Sequence, residues 1–209
     1  MNAQTERLRL NGPAGAIEAL RDAAAPDVPY RGVAVVSHPH PLFGGTMDNK
    51  VVQTLARAFV QCGWTAVRFN FRGVGASEGH YADGDGEVDD LLAVVREAAR
   101  DGPLALAGFS FGAHVTSHAA ARLVEERAIF KLVLVGTAAA RFQVATIPPD
   151  LHLQTLVVHG EDDDTVPLAD VMAWARPQLL PVTVIPAGGH FFHGQLPLLR
   201  NLVVRHLMA

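Results

Sequence analysis

Leu104-Ala105-Leu106-Ala107-Gly108-Phe109-Ser110-Phe111-Gly112 is an apolar run that ends in Gly-x-Ser-x-Gly. A strand that passes into a helix through this pattern turns sharply, with the serine at its apex and strand and helix nearly touching beside it. The residues two places either side must then be small. Gly108 and Gly112 hold those places, and Ala107 and Ala113 keep the next positions small. A serine held in this way projects its hydroxyl from the sheet edge, next to the backbone N–H groups of a helix start: a nucleophile beside an anion site. Gly and Ser are common turn residues, and an isolated copy of the pattern also suits a helix N-cap, so the remainder of the chain decides.

On either side of this stretch, apolar runs alternate with helical patterns. Gly32–Val36, Thr65–Phe69, Leu104–Phe109, Lys131–Gly136, Thr155–His159 and Val182–Ile185 read as strands. Between and after them, helices are expected over about 49–61, 87–100, 110–125, 168–178 and 197–208, with Gly63 stopping the first. Strand–helix alternation implies right-handed crossovers and a mainly parallel central sheet with helices on both faces, an α/β fold. Arg7–Leu10 and Ala16–Leu20 alternate apolar and polar residues around Asn11-Gly12-Pro13-Ala14-Gly15, which predicts a hairpin forming an antiparallel edge. There is no internal repeat or linker, and residues 1–209 read as one domain.

The balance of charges narrows the function. Seventeen Lys and Arg against 21 Asp and Glu give a formal net charge of −4, which favours neither nucleic acid nor an anionic membrane as partner. No apolar run approaches a bilayer span, and residues 1–7 lack the apolar core of a secretory signal. The single cysteine, Cys62, excludes an intramolecular disulfide and fits a reducing compartment, so a cytoplasmic location is expected.

In an open parallel sheet, ligands sit beyond the carboxyl ends of the strands. The residues that follow each strand there are Ser110, then Glu161-Asp162-Asp163-Asp164-Thr165-Val166-Pro167, then Pro186-Ala187-Gly188-Gly189-His190. Serine, acid and histidine thus arrive in the chain order of the α/β-hydrolase fold. Three other stretches complete the likeness: His38-Pro39-His40-Pro41-Leu42-Phe43-Gly44-Gly45-Thr46, the loop Phe69–Gly79, and Gly188-Gly189-His190-Phe191-Phe192-His193-Gly194. Together with the elbow they make the chain resemble the α/β-hydrolase superfamily over nearly its whole length, and within it small lidless bacterial hydrolases related to the dienelactone hydrolases.

That resemblance implies an α/β-hydrolase fold and site residues. Its Gly-x-x-Asp-x-x-Val-Pro pattern selects Asp163 as the acid, with Asp162 and Asp164 as live alternatives because a one-residue shift would re-aim the loop. His190 takes the place of the base, and His193 a supporting one. Of two oxyanion donors, the Phe111 N–H follows from the elbow. The other belongs to the loop after Gly32–Val36, where Pro39 and Pro41 have no N–H and leave His40 or Leu42. Likeness to the Ile-Phe-Gly of dienelactone hydrolases favours Leu42. Those enzymes carry cysteine at the elbow, whereas this chain has Ser110, which argues against dienelactone substrates.

Competing readings of single motifs are weaker. His38-Pro39-His40 lacks the continuation of a metallo-hydrolase motif, and the Asp83, Asp85 and Glu87 set lacks the turn glycine of a calcium loop. Those acids read as a solvated loop and an acidic helix start. Gly73-x-Gly75 has the wrong spacing for a dinucleotide fold. No metal or cofactor is expected.

Only Thr137–Gln154 separates the strand Lys131–Gly136 from the next, too little for a helical cap. An open site is expected, with Phe43, Phe142 and Phe191 as apolar substrate-binding walls and Phe109, Phe111 and Phe192 as further candidates. The expected activity is hydrolysis of small or short-chain carboxylic esters through an acyl-enzyme. A thioesterase or a small-amide or peptide hydrolase is the alternative, and a non-catalytic ligand-binding homologue the rival from another class.

Overall fold

The computed structural model describes residues 5–209. In chain order it runs β1 (Thr5–Gly12), β2 (Gly15–Asp22), β3 (Gly32–Ser37), α1 (Lys50–Gln61), β4 (Trp64–Phe69), α2 (Asp85–Ala98), β5 (Leu104–Phe109), α3 (Phe111–Leu123), β6 (Ile129–Val135), β7 (Thr155–Gly160), α4 (Leu168–Ala175), β8 (Val182–Ile185) and α5 (Leu196–Met208). Short 3-10 turns occupy Pro41–Phe43, Pro149–Gln154 and Arg176–Gln178. The strands form one eight-stranded sheet in the order β1-β2-β4-β3-β5-β6-β7-β8. Pairing is parallel from β4 to β8, while β1 and β2 form the expected antiparallel edge.

The period of two in the central strands sorts their side chains between two cores. Val33, Val35, Leu104, Leu106, Leu132 and Leu134 face one side, where α2, α3 and α4 pack. Ala34, Val36, Ala105, Ala107, Val133 and Val135 face the other, under α1 and α5. Alanines on this second face leave room for Leu55 and Phe59 of α1, both wholly buried. Because both faces are covered, the strands read as continuous apolar runs rather than alternating ones.

Helix boundaries follow local chemistry. The Asn49 side chain accepts the Val51 N–H at 2.8 Å to start α1, and Gly63, at φ 86°, turns the chain away after it. At the start of α2 the acidic stretch is an exposed loop residue followed by an acidic first turn, with one addition. Asp83 and Asp85 are exposed, but Glu87 is fully buried and accepts the N–H groups of Ala82 (3.0 Å) and Gly84 (2.9 Å). It ties down the loop that precedes its own helix, so it is a structural acceptor and not a solvated charge.

The first crossover, through α1, leads from β3 to β4 on one side, and β5 lies on β3's other side. The strand order therefore reverses at β3, and the carboxyl ends of β3 and β5 flank the crevice where such sheets bind ligands. Between β6 and β7 the chain carries only a loop and the 3-10 turn Pro149–Gln154. No cap domain stands over the crevice. Among the described residues, no helix is long and apolar enough to cross a membrane.

Candidate active site

Ser110 sits between β5 and α3 at φ 57° and ψ −118°, a backbone conformation that costs a non-glycine residue free energy. Its surroundings hold it there. Its N–H donates to Val135 O at 2.8 Å, and its carbonyl accepts the Ala113 N–H at 3.0 Å. The flanking glycines are required by contact. A Cβ on Gly108 would collide with Gly112 O, and one on Gly112 would stand 2.5 Å from both Ser37 O and His38 O. The first turn of α3 is thereby pressed against the end of β3 as well as against β5.

The acid and base come from the next strand ends. After β7 the chain turns so that Asp163 is buried while Asp162 and Asp164 are exposed. Asp163 Oδ1 accepts the N–H groups of Thr165 (3.0 Å) and Val166 (2.7 Å), which aims Oδ2 inward. After β8, a Gly-rich loop carries His190 to the elbow. It is stitched to the acid loop by Asp162 N–H to Gly188 O at 2.9 Å, with Gly160 packed against Gly188 too closely for a Cβ. His190 Nδ1–H donates to Asp163 Oδ2 at 2.7 Å, and its Nε2 accepts from Ser110 Oγ at 3.0 Å. Burial pushes the Asp163 carboxyl up, but the hydrogen bonds from His190 and the Val166 N–H, with the neighbouring imidazoles, outweigh it and hold the group below its ordinary value. Asp163 is thus an anion at neutral pH.

The loop after β3 supplies the opposite wall. His38 is fully buried; its Nδ1–H donates to Pro39 O at 2.6 Å and its Nε2 accepts the Phe71 N–H at 3.0 Å. Burial lowers its pKa to about 4, so it stays neutral and fixes the loop as a two-sided clamp. The two N–H groups expected as candidate oxyanion donors differ in this loop. The Leu42 N–H donates to His40 Nδ1 at 3.2 Å, and its side chain lies exposed on the Pro41–Phe43 turn. The His40 N–H, like that of Phe111, has no hydrogen-bond partner among the described residues. Which donor is free depends on how the turn folds, and the sequence does not encode that locally.

Aromatic rings rim the site on two sides. Around the His40 imidazole stand Phe43, Tyr81, Phe111 and Phe142, with ring centroids 4.7, 4.9, 4.9 and 5.7 Å away. Across from them Phe191 packs on His190 at 5.1 Å. Phe43 and Phe191 are exposed and Phe142 half-buried, so all three can meet a ligand. Phe109, Phe111 and Phe192 are wholly buried core residues instead. His193 is exposed and does not touch the acid. Among the described residues, no group of three or more His, Cys, Asp or Glu is arranged to hold a metal ion.

Comparison with known proteins agrees with this architecture. Residues 40–147 match the family described as serine aminopeptidase, S33 (Hydrolase_4). A protein of Rickettsia prowazekii (strain Madrid E), named as uncharacterized, is 33% identical over 170 residues, 79% of this chain and 70% of its own. The chain belongs to the Hydrolase_4 family of α/β-hydrolases. Among solved structures of such hydrolases, an α/β serine hydrolase without lid from Xanthomonas campestris is 38% identical, with 100% of this chain and 95% of that chain covered and a TM-score of 0.88. A serine hydrolase homologue from Coxiella burnetii is also 38% identical, with 97% of each chain covered and a TM-score of 0.81. This chain is therefore an α/β-hydrolase without a cap.

One buried residue of the site escaped the sequence reading. His159, at the end of β7, is wholly enclosed and lies 3.4 Å from Asp163 Oδ2. The signal was a polar residue closing the otherwise apolar run Leu156-Val157-Val158.

Proposed function

We propose that this protein is a serine hydrolase that cleaves small or short-chain carboxylic esters through an acyl-enzyme. The observation that carries the reading is the continuous chain Ser110 Oγ, His190 Nε2, His190 Nδ1, Asp163 Oδ2, at 3.0 and 2.7 Å, with all three residues buried. Ser110 Oγ attacks the ester carbonyl while His190 Nε2 takes its proton. The carbonyl oxygen becomes an oxyanion beside the Phe111 and His40 N–H groups, each worth about 3–4 kcal/mol to such a transition state. Collapse expels the alcohol, which leaves with the proton from Nε2. Water then repeats the sequence on the acyl-enzyme and frees the acid. Asp163 stays ionised throughout, holding the Nδ1–H tautomer and balancing the imidazolium.

The absence of a cap and the short 136–154 connection support small acyl groups, because among the described residues no helical cap closes over the crevice to enclose a long chain. A peptide- or amide-cleaving reading is favoured by one observation, the family description as serine aminopeptidase. The two separate on a panel of p-nitrophenyl esters of increasing chain length against aminoacyl p-nitroanilides. Short esters should be turned over fastest; a preference for anilides, or for acyl chains of twelve carbons, would overturn the ester reading. A fluorophosphonate probe should label Ser110, and Ser110→Ala should lose labelling and about 10⁶-fold in kcat. Retention of activity in that variant would remove Ser110 as nucleophile.

A further inference from the structure

Asp163 meets two imidazoles, and the hydrolytic cycle uses only one of them. His190 approaches Oδ2 at 2.7 Å and reaches Ser110 with its other nitrogen. His159 approaches the same Oδ2 from β7 at 3.4 Å, and its Nε2 lies 2.9 Å from Val166 O. A carbonyl oxygen can only accept, so His159 Nε2 carries the proton and donates it to Val166. The longer approach to Oδ2 is a second, weaker direction of the same N–H.

The placement of Val166 gives this bond its meaning. The Val166 N–H is the shorter of the two donors to Asp163 Oδ1, at 2.7 Å, and the Val166 carbonyl is the group His159 holds. The turn Asp163–Val166 is therefore fastened at one end by the acid itself and at the other by a side chain rooted in the sheet. We propose that His159 is a positioning residue: by donating from Nε2 to Val166 O it fixes the acid turn so that Asp163 Oδ2 meets His190 and not solvent. This rests on the reading of Ser110, His190 and Asp163 as a catalytic triad.

His159 also stays out of the charge transfer. It has no contact with Ser110 and its Nδ1 is enclosed without a hydrogen-bond partner among the described residues. Burial, and the nearby His190, lower its pKa, while the Val166 carbonyl and Asp163 oppose this. When His190 becomes an imidazolium, His159 remains a neutral donor, so Asp163 balances one positive charge only.

The test exploits reach. Glutamine can place its amide NH₂ near the position of His Nε2, whereas asparagine carries the same group one methylene short. We compare His159→Gln with His159→Asn, taking kcat per site titrated by a fluorophosphonate, KM, and the downfield proton resonance of the His190 Nδ1–H. A misplaced acid costs about 10–100-fold, so His159→Asn should lose that much in kcat per titrated site with KM unchanged and lose the resonance. His159→Gln should keep both close to wild type. Equal behaviour of the two variants, whether both active or both impaired, would overturn the proposal, since only the reach of the donor separates them. A wild-type enzyme that fails to label at Ser110 would instead sink the triad reading, which keeps the two failures distinct.

Discussion

The two halves of the site are made of different material. On the proposed oxyanion side, the groups are backbone N–H donors, those of His40 and Phe111, positioned by glycine contacts and by the buried His38 clamp. On the acid–base side they are side chains, Asp163 and His190, positioned by loops stitched to each other. Both halves follow the carboxyl ends of strands of one sheet, the first β3 and β5 near its middle and the second β7 and the border strand β8, yet they fail differently. A conservative change of one or two atoms should disable the side-chain half. The backbone half has no side chain to remove, and it yields only to changes that move the chain.

The sharpest way to break the comparison is Asp163→Asn. It keeps the shape of the acid and the Oδ1 that accepts from Thr165 and Val166 but removes the charge and the Oδ2 acceptor that meets His190, so kcat should fall about 10⁴-fold. A loss below tenfold would show that the side-chain half does not depend on that charge.

The clamp of the other half should register as acid sensitivity. Burial pushes His38 down to about 4, whereas an unfolded imidazole takes its proton near 6.5. The unfolded state therefore binds more protons between these values. Stability is complete above pH 6.5 and declines as pH falls toward 4, by roughly 3 kcal/mol for a fully buried histidine. Asp163, held below its ordinary value, keeps its contribution through this window and loses it only at lower pH. Urea midpoints at pH 7 and pH 4.5 should differ accordingly, and His38→Gln should shrink the difference. An equal drop in that variant would acquit His38.

Gly45→Ala probes the backbone half more directly. A Cβ there would collide with Pro39 O and stand 2.6 Å from His40 O, so the loop must shift. We expect about 1–3 kcal/mol lost in stability, together with reduced kcat at nearly constant KM. Unchanged kcat would detach the His40 N–H from the reaction. The smallest effects belong to Asp162→Asn and Asp164→Asn, both exposed, which should alter kcat by less than about twofold. A large loss in either would mean the wrong acid of the run has been chosen.

How much of this could be read in advance follows the same division. The elbow was legible because its glycines serve contacts set by local geometry at fixed offsets from Ser110. The strands of the sheet were legible because burial on both faces writes itself as continuous apolar runs. The acid is selected as Asp163 only through the family pattern, with Asp162 and Asp164 left as alternatives, since what distinguishes the three physically is the N–H groups of Thr165 and Val166 and a turn anchored to β7. The likeness to dienelactone hydrolases favours Leu42 over His40, and sequence does not display that a 3-10 turn engages the Leu42 N–H with His40 Nδ1. Glu87 reads as part of an acidic helix start and is found in the first turn of α2, but its burial is not legible, because it depends on the loop 70–84 folding over it, where Arg72 pairs with Asp90 at 2.7 Å.

The antiparallel hairpin that closes one side of the sheet has a consequence of its own. β1 is an outermost strand, and its free backbone edge could template the addition of a strand from another molecule. Along it, Glu6, Arg7 and Arg9 place charges in solvent, with Glu6 paired to Arg21 and Arg9 to Glu78. At the opposite border β8 spans only Val182–Ile185, too short to offer a register. A long apolar sheet is thus kept from growing sideways by charge at one border and by brevity at the other.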